Sequence, residues 1–98
     1  MENLVARTIL KQLGGNRFSL MTGSSKFIAG KYTLSFKIVR NPSKANYCRI
    51  TLNCLDLYDM EFFRSRKGEL ELIEKKEGLY DDMLQSSFTE VTKLYTRL

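Results

Sequence analysis

Three groupings in this chain of 98 residues could carry chemistry: closely set glycines, closely set carboxylates, and basic residues interleaved with a tyrosine. The glycines come first, in Leu-Gly-Gly-Asn-Arg-Phe-Ser-Leu-Met-Thr-Gly over residues 13–23. A phosphate-cradling loop needs G-x-x-x-x-G-K-[ST] between a strand and a helix, because its backbone N–H groups must close around the anion. Gly30-Lys31 offers the last pair. Ser25 stands where the first glycine belongs, however, and Tyr32 replaces the Ser or Thr. Gly14-Gly15 also lacks the G-x-G-x-x-G spacing of a dinucleotide site. These glycines therefore predict a helix stop and a turn.

Two carboxylate groups deserve the same test. Tyr80-Asp81-Asp82 resembles the metal-binding Tyr-x-Asp-Asp box of polymerase palms, which sits on a β-hairpin of a much larger domain. Here the two aspartates open a helical pattern, where negative charge is favourable. Asp56, Asp59 and Glu61 could hold a hard cation such as magnesium. A solvated strand face explains them better, and no metal or other cofactor is expected. With no histidine in the chain, Ser-His-Asp and Cys-His catalysis and imidazole zinc sites are excluded. Cys48 and Cys54, six apart on one predicted strand, would have Cα atoms about 20 Å apart. A disulfide needs less than about 7 Å. Two reduced, buried thiols are expected, and no enzymatic activity.

The basic residues remain. Lys31 and Lys37 face outward from one predicted strand, Arg40 and Lys44 lie in the next loop, and Arg49 lies on the following strand beside Tyr47. Arg64, Arg66 and Lys67 cluster at a later turn. Together they predict a cationic sheet face with an aromatic platform, the kind of surface that holds single-stranded nucleic acid. They would equally suit an acidic protein surface. The paired exposed aromatics of an RNA-recognition sheet are not evident in Arg-Ile-Thr-Leu-Asn-Cys-Leu.

The elements that must position these residues follow from periodicity. Ala6, Ile9, Leu10 and Leu13 share one face of a helix, which Asn3 would cap and Gly14-Gly15 would end. Alternation then predicts short strands: one around Phe18 and Leu20, one at Lys-Phe-Ile-Ala-Gly, and the clearest at residues 31–39, with Tyr32, Leu34, Phe36 and Ile38 on one side. Further strands are expected at residues 47–54, 58–63 and 69–73. Tyr80, Met83, Leu84, Ser87, Phe88, Val91, Leu94, Tyr95 and Leu98 then mark a long C-terminal helix. The prediction is a single α+β domain over 1–98. It comprises an N-terminal helix, an antiparallel meander of about five or six strands, and a long C-terminal helix on one sheet face.

Formal net charge is +5, and the eleven acidic residues are expected to spread among the sixteen basic ones. No stretch reaches the roughly 18 apolar residues of a membrane helix, and the first residues do not read as a signal peptide. A cytoplasmic location without membrane association is expected. The end of the last helix, Leu94, Tyr95 and Leu98, is left open as a homodimer contact.

Three segments carry a resemblance over most of the chain: L-G-G-N-x-F-x-x-M-T-G at 13–23, N-x-S-K-A-N at 41–46, and Y-x-D-M-L-x-x-x-F-T-x-x-T-x-L-Y-T-x-L at 80–98. The sequence resembles small proteins carried by bacteriophages and integrative elements of gut bacteria. The stretch between Arg64 and Gly78 is shorter here than in that group. The group implies no particular activity, so no site residue is carried over. What the resemblance implies is a setting, a mobile element in a bacterial host. The expected function is a non-catalytic binding protein that inhibits a host defence nucleoprotein, in the manner of an anti-CRISPR protein, through the basic face and turns. The alternative is a nucleic-acid-binding accessory protein of the element, with RNA or DNA as partner.

Overall fold

A computed structural model describes residues 4–39 and 41–94. Helix α1 (Leu4–Leu13) buries Ala6, Ile9 and Leu13, the face expected from their spacing. It ends where the N–H groups of Gly14 and Gly15 both bond to the Leu10 carbonyl. The next segment departs from expectation. Residues 16–22 form a second helix, α2 (Asn16–Thr22), not a strand. Only Phe18 and Thr22, one turn apart, point inward, and Leu20 is 84% exposed. The apparent alternation of Phe18 and Leu20 was therefore misleading. Gly23 closes α2 with a left-handed φ of 70°. A Cβ there would lie 2.6 Å from Val39 Cγ1, so both backbone and packing require glycine.

Five strands follow: β1 (Ser25–Ala29), β2 (Thr33–Lys37), β3 (Tyr47–Leu52), β4 (Tyr58–Arg66) and β5 (Glu69–Leu79). They form one open antiparallel sheet in sequence order. Lys67 and Gly68, both at positive φ, make the two-residue turn between β4 and β5, a geometry whose twist matches a hairpin. A 3₁₀ turn (Asp81–Met83) leads into α3 (Leu84–Thr92). The expected long C-terminal helix is thus about twelve residues including that turn, because Lys93 adopts a left-handed φ of 63°. The proposed dimer residues Tyr95 and Leu98 lie outside the described residues.

The three helices share a single core with one face of the sheet. Leu34, Phe36, Cys48, Ile50, Met60 and Phe62 meet Ile9, Leu13, Phe18, Leu84 and Phe88 there. Gln85 Nε2 donates to the Leu13 carbonyl at 2.8 Å and ties α3 to the end of α1. Lys76 of β5 pairs with Glu90 of α3, and that ion pair holds the Glu90 carboxyl below its ordinary range. No helix of the described residues is long and apolar enough to cross a membrane.

Candidate binding face

The other sheet face carries no helix, and its side chains line up in rows set by register. In one row Lys37 pairs with Tyr47, Tyr47 with Phe63, and Phe63 with Leu72. In the next, Ile28, Ser35, Arg49, Glu61 and Lys75 succeed one another. Phe63 is buried yet lies outside the helix-side core. Its neighbours explain this: the Tyr47 ring lies 6.3 Å away between centroids, and the Arg49 guanidinium sits 5.0 Å over its face. Arg49 also reaches Glu61 at 3.8 Å. The guanidinium is thus partly neutralised and works as a lid on Phe63.

Lys44 and Arg64 meet at the same end of the sheet. They line a groove of about 640 Å³ with Asn41, Pro42, Ala45 and Asn46. The loop that forms it is fixed by its asparagines. Asn41 is buried; its Nδ2 donates to the Val39 and Ala45 carbonyls at 2.8 and 2.7 Å, and its Oδ1 accepts from the Ser43 N–H and hydroxyl. Asn46 exchanges two hydrogen bonds with the Ser65 backbone, tying the loop to β4. Lys44 is held at a φ of 68°. The two cations therefore sit on a preformed scaffold, which lowers the ordering cost of binding.

The nine residues expected to form a site are thus partly brought together. Lys37, Tyr47 and Arg49 share the open face; Lys44 and Arg64 meet beyond the same end of the strands, where Arg64, next to open-face Phe63, alternates to the helix side. Arg66 and Lys67 lie beyond, at the exposed hairpin tip. Lys31 stands apart, in the turn at the opposite end of β2 near Tyr32, six residues or about 20 Å from Lys37 along the strand. Arg40 lies outside the described residues. Phe63 and Leu72 were missed. A signal existed for Phe63: a β3–β4 turn centred on Leu55 pairs each β3 residue with the β4 residue equidistant from it.

Two of the three clustered acids, Asp59 and Glu61, have structural partners. Asp59 Oδ1 accepts from Asn53 Nδ2 and from the Gly78 N–H, and Glu61 faces Arg49. No cluster of three or more metal-ligating side chains occurs among the described residues. Charge is also sorted rather than spread. Nine basic residues and one acid precede Asp56, whereas seven basic residues and ten acids lie from Asp56 onward. Strand order carries this into space, so β1 to β3 form a basic side and β4 to β5 a more acidic one.

The two cysteines part company. Cys48 is buried in the core, and Cys54 is exposed in the β3–β4 connection instead of buried on the strand. Both are free. Burial first, and Glu61 second, push the Cys48 thiol far above its ordinary 9.0. A disulfide-exchange dye is expected to titrate a single thiol in the native protein and both in denaturant. Because the folded-state value is raised, the Cys48 contribution to stability is complete below about pH 9 and is lost as pH rises beyond it. Reaction of both thiols without denaturant would contradict this placement.

Comparison with protein-family models, with curated proteins and with solved structures finds no match.

Proposed function

We propose that the protein is a non-catalytic binding module of a phage or mobile element that inhibits a host defence nucleoprotein of the CRISPR kind. The observation that carries the binding part is the helix-free row in which Lys37, Tyr47 and Leu72 accompany the Arg49-covered Phe63, with the Lys44–Arg64 groove beyond the same end of the strands. Aromatic and apolar groups at the centre with cations at the border form the usual anatomy of a macromolecular contact. The resemblance supplies the setting. The surface suits an acidic protein patch or the phosphates of a guide RNA. Targeted phage plated on a host expressing the protein should recover plating by orders of magnitude. Unchanged plating against the host's defence systems, with no binding to their complexes, would refute the proposal.

One observation favours a second reading, the nucleic-acid-binding accessory protein. Tyr47 stands half-buried beside Lys37 on the helix-free face, backed by Phe63 under the Arg49 guanidinium, and one ring flanked by cations is a base-stacking element of single-strand-binding sheets. Under this reading, labelled single-stranded DNA or RNA binds the isolated protein. Three phosphate contacts would weaken that binding roughly 20-fold between about 50 and about 200 mM salt. Anisotropy titrations at the two concentrations measure it, and no binding at the lower salt rejects it.

A further inference from the structure

The helix side of the sheet is not covered to its edge. Helix α1 seats on β2, which leaves a groove of about 200 Å³ between its flank and β1, lined by Leu10, Phe27, Ala29 and Leu34 among others. A second hollow of about 340 Å³ shares Arg7 and Leu10 with it and continues past Lys11 to Gly14. The lining is apolar, and Leu10 and Phe27 are only half-buried. Arg7 and Lys11, one turn apart and exposed, form the rim. No carboxylate occurs anywhere between residues 4 and 55, so nothing in this part of the chain neutralises that rim.

We propose that this groove docks an acidic amphipathic helix of a partner protein. Apolar side chains of such a helix, recurring at i, i+3, i+4 and i+7, would enter between Leu10 and Phe27. Its Glu or Asp residues would face Arg7 and Lys11. From Ala6 to Leu13, α1 rises about 10 Å, matching roughly two turns of a docked helix. An added strand fits the site less well. The β1 edge is five residues long and irregular between Ser25 and Ile28, with Lys26 at a φ of 54°, features that discourage edge pairing. The groove lies on the helix side, away from the Tyr47–Phe63 row, so the inference does not depend on the function of that row.

The test uses a fluorescent synthetic peptide of about three helical turns, with leucines at i, i+3, i+4 and i+7 and glutamates elsewhere. A scrambled peptide of the same composition serves as control. Anisotropy should show the patterned peptide binding at least about tenfold tighter than the scrambled one. The double variant Arg7→Glu/Lys11→Glu should remove that difference. So should Ala29→Glu, a change at an exposed position, with circular dichroism checking that the fold is kept. Lys37→Glu should leave it intact. Equal affinity of the two peptides, failure of both to bind, or indifference to the groove variants would overturn the proposal. Concentration-dependent dimerisation that the groove variants abolish would overturn it in favour of a second copy as occupant.

Discussion

The Phe36→Ala variant is expected to lose about 3–5 kcal/mol of stability, a large share of the 5–15 kcal/mol typical of a domain. Phe36 is fully buried at the meeting point of several elements. Its ring lies 5.4 Å from Phe18 of α2, 5.2 Å from Phe27 of β1 and 6.1 Å from Phe88 of α3. Phe18 and Phe88 also contact each other edge-on at 5.0 Å. Truncation removes the ring's transfer free energy and leaves a cavity that three surrounding elements would have to move to fill. Urea titration followed by circular dichroism gives the number. Should the variant prove too unstable to purify, Phe36→Leu should fold and still lose a measurable fraction. A loss below about 1 kcal/mol for alanine would show that the site collapses freely, contrary to interior packing.

The second large effect concerns binding. Reversing charge at Lys37, Lys44 and Arg64 together is expected to weaken the partner or nucleic-acid contact at least about 100-fold, since each reversal replaces an attraction with a repulsion. The residual binding should also lose most of its salt dependence. Lys37 and Lys44 are exposed and Arg64 is half-buried, so far-ultraviolet circular dichroism should be nearly unchanged. Arg49→Glu answers a different question. Arg49 covers Phe63 and faces Glu61, so its reversal uncovers the ring and juxtaposes two carboxylates. The three-residue reversal is therefore the cleaner probe of the contact. Wild-type affinity in that variant would remove Lys37 and the Lys44–Arg64 groove alike from the binding surface.

Much of this was readable in the order of residue types. The spacing of Ala6, Ile9, Leu10 and Leu13 set α1, and the alternation around Leu34, Phe36, Cys48 and Ile50 set the central strands and their buried side. Helix α2 was not readable, because seven residues show only about two turns of pattern. One of its two inward positions is Thr22, a polar residue that satisfies its hydroxyl on the Phe18 carbonyl. The C-terminal helix stops at Thr92 through a left-handed lysine, which side-chain periodicity does not register. On the candidate face, alternation placed Lys37, Tyr47 and Arg49 together correctly. It gave no information about which end of a strand a residue occupies, and so grouped Lys31 with them. The basic triplet pattern assigns Arg64 to the turn with Arg66 and Lys67. Strand β4 instead runs through Arg66, and Arg64 meets Lys44 across the asparagine-pinned loop.

The strand order has a kinetic consequence. Each strand of the sheet pairs with its immediate neighbour in sequence, so every hairpin can zip by closing a short loop before any distant contact forms. The distant contacts belong to the helices, above all the tie between Leu13 and Gln85, 72 residues apart. Loop closure over that span costs only slightly more than over a short one once the strands between have shortened the chain. The meander can thus assemble from local contacts, and the seating of α2 and α3 on Phe36 through Phe18 and Phe88 is expected as the late, cooperative step.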